Sequence, residues 1–171
     1  DGADLSSLYL YLLQGKFIWI NFITSLKRHK TPFERAQEIA SAVVYREREI
    51  ERLKKEMDIC LPGILYRWQP SKIVGVDLSG YEKQYPAVQF VEDFAPIFKV
   101  CSFITIHAGE EETAQSIWEA VYKLHANRIG HGLTLVEFPS LMELARDLQI
   151  CIELCPTSNE LTGYSGQRRS Q

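Results

Sequence analysis

The sequence predicts an α/β protein in which strands and helices alternate, the arrangement of a (β/α) barrel. From residue 72 onward, short runs rich in β-branched residues alternate with segments whose apolar residues recur at helical spacing, which favours right-handed βαβ units and a parallel sheet. Polar residues follow four successive predicted strands at their C-terminal ends, where a barrel gathers its active site. A doubly wound parallel sheet is the second possibility.

The composition is typical of a globular protein. Of 171 residues, 46% are hydrophobic and 24% are charged, which argues against a disordered, collagen-like or coiled-coil chain. The 19 Lys and Arg against 22 Asp and Glu give a net charge of -3, which disfavours binding to nucleic acid or to an anionic membrane. No apolar run approaches the roughly 20 residues that span a bilayer, and we expect a cytoplasmic protein without a signal peptide.

Three parts are predicted along the chain. Residues 1–71 form a divergent part with helices and early strands, residues 72–163 carry the strand–helix repeats, and residues 164–171 are a polar tail. Thr31-Pro32-Phe33-Glu34 marks a helix start, with a capping residue, a proline at the first helical position and a glutamate that reaches back. The balanced charges of residues 46–56 indicate a solvated helix face. The apolar stripe of this helix is predicted to be Phe33, Ala36, Ala40 and Val43.

The repeats predict four strands and three helices. The predicted strands are Ile73–Leu78, Phe103–His107, Arg128–His131 and Ile150–Cys155. The helices between them are predicted from apolar stripes at Phe90, Val91, Phe94, Ile97 and Phe98, at Ile117, Val121 and Leu124, and at Leu141, Leu144, Ala145 and Leu148. The chain contains neither a Gly-x-Gly-x-x-Gly turn nor a Gly-x-x-x-x-Gly-Lys-Ser/Thr loop, so the two commonest phosphate-binding signatures are absent.

His107-Ala108-Gly109-Glu110 is the sharpest candidate for chemistry. It places an imidazole at a strand end, two small residues that allow close approach, and a carboxylate at the start of the next loop. A histidine there suits a metal, and a nearby glutamate can exchange protons with a substrate. Each residue also has a structural interpretation: a hydrogen-bonded histidine, and an acidic residue that stabilises the next helix through its dipole.

Three further strand ends carry candidate residues. His131 lies between Gly130 and Gly132, and the flanking glycines would let a ligand approach the ring. Asp77 emerges at the end of a buried strand, so its carboxylate needs either a substrate donor or a structural partner. The Thr157-Ser158-Asn159 group follows the last predicted strand.

The remaining histidines and the cysteines carry no functional prediction. We expect His29, beside two basic residues, and His125, within a helix, to be surface residues. The four cysteines form no Cys-x-x-Cys pair, and Cys151 and Cys155 are expected to be buried, unreactive thiols of a reduced protein.

Four motifs occur in a distinctive order. They are Ile73-Val74-Gly75-Val76-Asp77-Leu78-Ser79-Gly80, Thr105-Ile106-His107-Ala108-Gly109-Glu110, Arg128-Ile129-Gly130-His131-Gly132 and Glu153-Leu154-Cys155-Pro156-Thr157-Ser158-Asn159. In order and separation they resemble successive strand-end motifs of the adenosine deaminase family. The resemblance covers about residues 72 to 163, roughly half of the chain. Upstream, residues 43–47 weakly resemble the second strand of that family.

The resemblance implies a (β/α)8 TIM-type barrel, only partly represented in this chain, with one zinc ion that activates water for attack on C6 of an adenine ring and release of ammonia. By matching motifs, His107 would be a zinc ligand, Glu110 the acid that protonates the ring nitrogen, and His131 the group that orients or deprotonates the zinc-bound water. Gly80 would offer its backbone N–H to the purine, and Asp77 would lie at the pocket floor.

Several expected residues of that family are missing. Its first strand supplies two zinc-binding histidines in a His-x-His-x-Asp-Gly pattern, whereas this chain opens at Asp1-Gly2, so that Asp1 would match the family's substrate-contacting aspartate. Its last strand supplies an aspartate ligand, and nothing after Gly163 resembles it. The third strand has no convincing match around residues 59–68. One histidine cannot hold a catalytic zinc, which typically takes three protein ligands.

Two explanations follow: the chain is an excerpt of a longer deaminase, or a degenerate barrel piece. The intact His107, Glu110 and His131 favour the excerpt, and hence zinc-dependent deamination of adenosine or an adenine nucleotide. Tyr81 stands where the family commonly has aspartate, so a nucleotide-acting member, like those the family contributes to bacterial antiviral defence, is an alternative on resemblance alone.

Two competing hypotheses stay open: an inactive fragment that acts as a binding or assembly module, and a different metal-dependent hydrolase. The unpaired edges of a partial barrel favour a homo-oligomer.

Overall fold

The structure is a computed structural model, and it describes residues 21–58, 72–100 and 102–163. Five strands alternate with helices in these ranges. The strands are β1 (Asn21–Lys27), β2 (Lys72–Ser79), β3 (Phe103–Ala108), β4 (Arg128–His131) and β5 (Cys151–Glu153). The helices are α1 (Pro32–Asp58), α2 (Val91–Lys99), α3 (Ala114–Leu124), α4 (Pro139–Asp147) and α5 (Pro156–Leu161), with 3₁₀ turns at Ala87–Phe90 and Leu133–Glu137.

The five strands form one parallel sheet in the order β1-β2-β3-β4-β5. Each strand pairs with the next strand along the chain, as in a barrel, whereas a doubly wound sheet reverses its strand order. The predicted α/β fold is therefore confirmed, and the chain covers part of a (β/α)8 barrel. Strands β2 to β5 lie at the four predicted positions, with β5 shorter than predicted. Strand β1 was not predicted from the sequence.

The helices cover one face of the sheet and form the core with it. Side chains that are at most 3% exposed come from β2, β3, β4, α2 and α3: Val76, Leu78, Ile104, Ile106, Ile129, Phe94, Ile97, Ile117 and Leu124. The alternate residues of the strands line a small cavity of about 220 Å³: Ile23, Ser25, Asp77, Thr105, His107 and Glu153. Successive strand residues point to opposite faces, so the helices pack on the apolar face and the polar face is left for a site.

Helix α1 begins as predicted but buries a different face. The backbone N–H of Thr31 donates to the Glu34 carboxylate at 2.8 Å, and the N–H of Glu34 donates to the Thr31 hydroxyl at 3.3 Å, which completes the capping box. The predicted stripe is wrong, because Phe33 is 71% exposed and only Val43 of its four members is partly buried. The helix buries Ile39 and Ala42 instead.

Several local predictions need correction. Residues 43–47, which weakly resemble a strand, lie within α1. Cys151 is exposed and Cys155 is half-buried, so the prediction of buried thiols is wrong for both; Cys60 and Cys101 lie outside the described residues. His125 ends α3 as its C-cap and is exposed, as predicted for a surface residue. In the described part of the chain, no helix is long and apolar enough to cross a membrane.

Candidate active site

The ends of β3 and β4 bring two of the predicted histidines into contact. His107 is the penultimate residue of β3 and His131 is the last residue of β4, and their rings meet edge to face with centroids 4.9 Å apart. His107 Nδ1 lies 3.1 Å from His131 Nε2. Gly130 pairs with His107 across the two strands, and a Cβ at position 130 would lie 2.9 Å from His107 Cδ2. Gly130 therefore makes room for the His107 ring.

Glu110 joins this pair from the loop after β3. Its Oε2 lies 3.2 Å from His131 Nε2, and its Oε1 accepts a hydrogen bond from the Thr162 hydroxyl at 3.2 Å. The Glu110 side chain is 16% exposed and that of His131 is 4% exposed. Burial raises the pKa of Glu110, and the neighbouring His131 and Thr162 oppose this rise. The carboxyl group therefore keeps its proton to a higher pH than an exposed glutamate does.

Asn159 fixes the orientation of His131. Its Oδ1 lies 2.6 Å from His131 Nδ1, and the Asn159 side chain is buried. An amide oxygen only accepts hydrogen bonds, so this contact assigns the proton of neutral His131 to Nδ1. Nε2 then carries a lone pair, and this atom faces both Glu110 and His107. His131 itself has a positive φ of 69°, in the left-handed region, which turns its ring toward these neighbours.

Asp77 lies on the polar face of the sheet beside His107. It lies within β2, two residues before the strand ends, and not at the strand end as the sequence suggested. Its Oδ2 accepts a hydrogen bond from Ser25 at 2.7 Å, and its Oδ1 lies 3.5 Å from His107 Nε2. Burial lowers the pKa of His107, an effect that Asp77 opposes. Ser25 is thus a structural partner of the Asp77 carboxylate, as one of the two sequence interpretations expected, but it binds only one of its oxygens.

Gly80 and Asp1 complete the predicted set. Gly80 follows β2 with a φ of +113°, a conformation that favours glycine, and it is exposed. Asp1 lies outside the described residues. The structure therefore brings His107, Glu110 and His131 together, with Asp77 alongside, and the roles assigned to all six residues stay predictions.

The described residues supply only part of a metal site. They contain no group of three His, Cys, Asp or Glu side chains that could hold a metal ion. Asp77 Oδ1 is nevertheless buried without a hydrogen-bond partner beside the His107 imidazole, and an unpaired acceptor next to a nitrogen ligand fits a nearby cation. His107 fits as one ligand, but His107 and Asp77 alone do not complete the three protein ligands that a catalytic zinc typically takes.

Three buried polar residues near the site have no individual role predicted from the sequence. Arg28 follows β1 and is fully buried, Glu82 lies between β2 and α2 and is 2% exposed, and Asn159 lies in α5. Asn159 belongs to the polar group after the last predicted strand, so a signal for it existed. Arg28 and Glu82 resemble surface charges in the sequence, because their partners lie 27 to 79 residues away along the chain.

Comparison with known proteins identifies the family. The family model described as adenosine deaminase matches residues 41–168, about three quarters of the chain. An adenosine deaminase of Pseudoalteromonas translucida is 47% identical over 87 residues, which cover 51% of this chain and 26% of that protein. The chain spans only about a quarter to a third of the length of the curated relatives it matches.

Solved structures of similar fold agree with the partial barrel. The N6-methyl-AMP deaminase of Arabidopsis thaliana has a TM-score of 0.61 and 21% identity, covering 86% of this chain and 36% of its own. A zinc-bound amidohydrolase of Burkholderia ambifaria has a TM-score of 0.59 and 20% identity, covering 80% of this chain and 32% of its own. These likenesses concern the fold, whereas the family model concerns the sequence over most of the chain. On that match, the chain belongs to the adenosine deaminase family.

Proposed function

We propose that the protein containing this chain is a hydrolytic deaminase that removes the 6-amino group of adenosine or an adenine nucleotide and releases ammonia. The observation that carries this proposal is the contact between Glu110 and His131, whose Oε2 and Nε2 atoms lie 3.2 Å apart in a largely buried setting. Family membership and the relatives' names support the same reaction class. The product is the inosine form of the substrate.

His131 and Glu110 suit the two proton transfers of the reaction, one from the water and one to the purine ring. His131 holds its own proton at Nδ1 against Asn159, so the lone pair of Nε2 is the group that would accept a proton from the attacking water. Glu110 has a raised pKa and can donate a proton to the purine ring nitrogen as the amino-bearing carbon is attacked. After the addition, the proton on His131 passes to the amino group, which leaves as ammonia, and the Glu110 carboxylate takes back the proton of the new C6 hydroxyl to give the carbonyl of the product. Their adjacency lets one small site protonate the ring and deprotonate the water.

Substrate binding is proposed for residues around this pair. The exposed backbone at Gly80 would donate its N–H to the purine, with Asp77 at the pocket floor and Asp1 as a further contact. The relatives named adenosine deaminase favour adenosine, whereas the Arabidopsis neighbour is named for a nucleotide substrate. Tyr81, 65% exposed next to Gly80, is the residue by which this chain could differ in that choice. Cytoplasmic location, homo-oligomer formation and a role in antiviral defence stay predictions of the sequence.

We also propose zinc as the cofactor, with His107 as one of its ligands. A bound zinc lowers the pKa of its water from 15.7 to about 7, which supplies a nucleophile at neutral pH. The zinc-bound amidohydrolase of similar fold and the unpaired Asp77 Oδ1 beside His107 support a cation here. The remaining ligands would come from residues outside the described ranges.

The test measures ammonia release and metal content on the natural protein that contains this chain. With adenosine and ATP as substrates, Glu110→Gln should lower kcat by about 10²- to 10⁴-fold because a general acid is lost. His107→Ala should lower both metal content and turnover. His29→Ala, which removes an exposed histidine, is the matched control and should change neither.

Each competing hypothesis has its own outcome in this assay. Purine binding without ammonia release from a metal-free protein would replace the proposal with a binding or assembly module. Bound zinc with hydrolysis of other amides, and none of adenine compounds, would indicate a different metal-dependent hydrolase on the same barrel. Unchanged turnover in Glu110→Gln would remove the proposed role of that residue.

A further inference from the structure

Glu82 has a buried carboxylate that binds the backbone of the loop carrying Glu110. The residue follows β2 by three positions and is 2% exposed. Its Oε1 accepts a hydrogen bond from the N–H of Gly109 at 2.7 Å. Its Oε2 accepts from the N–H groups of Glu110 and Glu111, both at 3.1 Å. One side chain thus holds three consecutive amides of a loop that lies 27 to 29 residues away.

These three bonds supply hydrogen-bond partners that a buried charged group needs. Hydrogen bonds to an ionised carboxylate are roughly twice as strong as neutral ones, and a buried charge requires such partners. The Gly109 N–H also donates to the Ser116 hydroxyl at 2.9 Å, so it is the N–H groups of Glu110 and Glu111 that depend on Glu82. Gly109 has a φ of +70°, and its turn points consecutive N–H groups the same way. Since the three amides occupy both carboxylate oxygens, Glu82 does not present a free oxygen to a substrate.

Arg28 makes the matching contacts to the strand that carries His107. It is fully buried, and its guanidinium donates to the backbone carbonyls of His107 and Tyr85. Burial lowers the pKa of Arg28, and the negative charges of Glu82 and Asp77 act in the opposite direction. The two buried charges therefore balance one another while each binds backbone on one side of the Gly109 turn.

The proposed zinc ligand and the proposed proton donor lie on either side of this turn. His107 precedes Gly109 and Glu110 follows it, so the backbone path across the turn sets the position of one relative to the other. The space around the turn is already full: a Cβ at Gly109 would lie 2.5 Å from Thr134 Oγ1 and 2.6 Å from Ile117 Cδ1. The loop therefore has little room to find another path if its acceptor is removed.

We propose that Glu82 is a positioning residue for the deamination, because its buried carboxylate fixes the amides of residues 109–111 and thereby aims Glu110 at His131 and the substrate. This inference rests on the proposed function, and Glu82 acts through Glu110 without touching the substrate.

The test compares Glu82→Gln with Glu143→Gln in the natural protein that contains this chain. Glutamine keeps the shape of Glu82 but offers one acceptor oxygen, so it cannot accept all three N–H bonds. We expect kcat to fall about 10- to 100-fold, the usual effect of losing a supporting hydrogen bond to an active-site group, with KM changed by less than about threefold. Glu143→Gln removes the same charge from an exposed carboxylate on α4, outside the loop that Glu82 binds, and should leave kcat unchanged.

Hydrogen–deuterium exchange of the peptide spanning residues 109–111 provides a readout independent of activity. Exchange there should become faster in Glu82→Gln and not in Glu143→Gln. Glu82→Asp keeps the charge but moves the carboxylate one methylene away from the loop amides, so its kcat should lie between those of the unmodified protein and Glu82→Gln. If Glu82→Gln does not fold, the kcat of Glu82→Asp tests the positioning role instead.

Three results would overturn the proposal: a kcat of Glu82→Gln within twofold of the unmodified protein, unchanged exchange at 109–111, or equal losses in Glu82→Gln and Glu143→Gln. If the unmodified protein does not deaminate adenosine or ATP, the proposed function fails instead. The exchange measurement then decides alone whether Glu82 fixes the loop.

Discussion

Replacing Gly130 with alanine tests whether this glycine sets the position of the His107 ring. A Cβ at position 130 would lie 2.9 Å from His107 Cδ2, 3.2 Å from Cγ and 3.3 Å from Nε2, whereas ordinary contacts begin at 3.4 Å. The ring must therefore move by about half an ångström, which changes its contacts with His131 at 3.1 Å and Asp77 at 3.5 Å. A misplacement of this order can cost about 10²-fold in rate, and overpacking costs about 1–3 kcal/mol of stability.

Gly75→Ala is the matched control, because it introduces the same clash away from the histidines. Its Cβ would lie 2.9 Å from the backbone carbonyl oxygen of Phe103, on the strand paired with β2. A carbonyl cannot rotate away as a ring can, so the two strands must separate, and we expect a stability loss at the upper end of about 1–3 kcal/mol. Activity of the folded fraction should change little.

The assay is urea unfolding together with ammonia release under conditions in which each variant is folded. We expect the two variants to affect different properties. Gly130→Ala should lower kcat/KM about 10- to 100-fold with a modest loss of stability, whereas Gly75→Ala should lower mainly stability. If both variants lose activity in proportion to stability, or if Gly130→Ala keeps kcat/KM within twofold, the reasoning about the His107 ring is refuted.

Two further predictions concern the proton-transfer pair. Asn159→Leu keeps the branched shape of the side chain but removes the acceptor of His131 Nδ1. Urea unfolding should therefore show a loss of about 1–3 kcal/mol, and kcat should fall with little change in KM. Burial raises the pKa of Glu110 above 4.5, so just above that pH the folded protein binds more protons than the unfolded chain and the unfolding free energy falls as pH rises. Glu110→Gln should flatten this fall in unfolding curves measured from about pH 4 to 7; an unchanged slope contradicts the shift.

The alternation of strands and helices was predictable where apolar periodicity is strong. Strands β2, β3 and β4 bury alternate residues almost completely, and that pattern is visible in the sequence. Strand β1 escaped prediction because Phe22 and Ile23 are 54% and 45% exposed and only Leu26 is buried. An edge strand with one fully buried apolar residue gives almost no period-two signal. Local pattern therefore predicts the centre of the sheet better than its edge.

The prediction of which residues α1 buries was wrong for a different reason. Phe33 follows the N-cap and starts a spacing with Ala36 and Ala40, but the sheet and α2 lie against the face that contains Ile39 and Ala42. Small alanines fit either a buried or an exposed position, so periodicity alone does not choose between two adjacent faces. The choice is made by tertiary packing.

The residues of the candidate site likewise differ in how well the sequence predicts them. His107, Glu110 and His131 are placed by strand ends, which sequence pattern locates well. Arg28 and Glu82 are placed by backbone acceptors and donors of distant segments, such as the His107 carbonyl and the Gly109 N–H. No local pattern distinguishes a buried charge with such partners from a surface charge, because the partners exist only once the sheet has formed.

The face of the sheet that bears the site also indicates how the barrel works. Ser25, Asp77 and Thr105 lie side by side on β1, β2 and β3, and together they line the cavity beside His107. Such small and polar side chains cannot form a dry core, whereas the opposite face is packed with aliphatic residues. Further strands paired with β1 and β5 would therefore enclose a polar chamber over the histidines, in which excluded bulk water strengthens the proposed proton transfer between Glu110, His131 and the substrate.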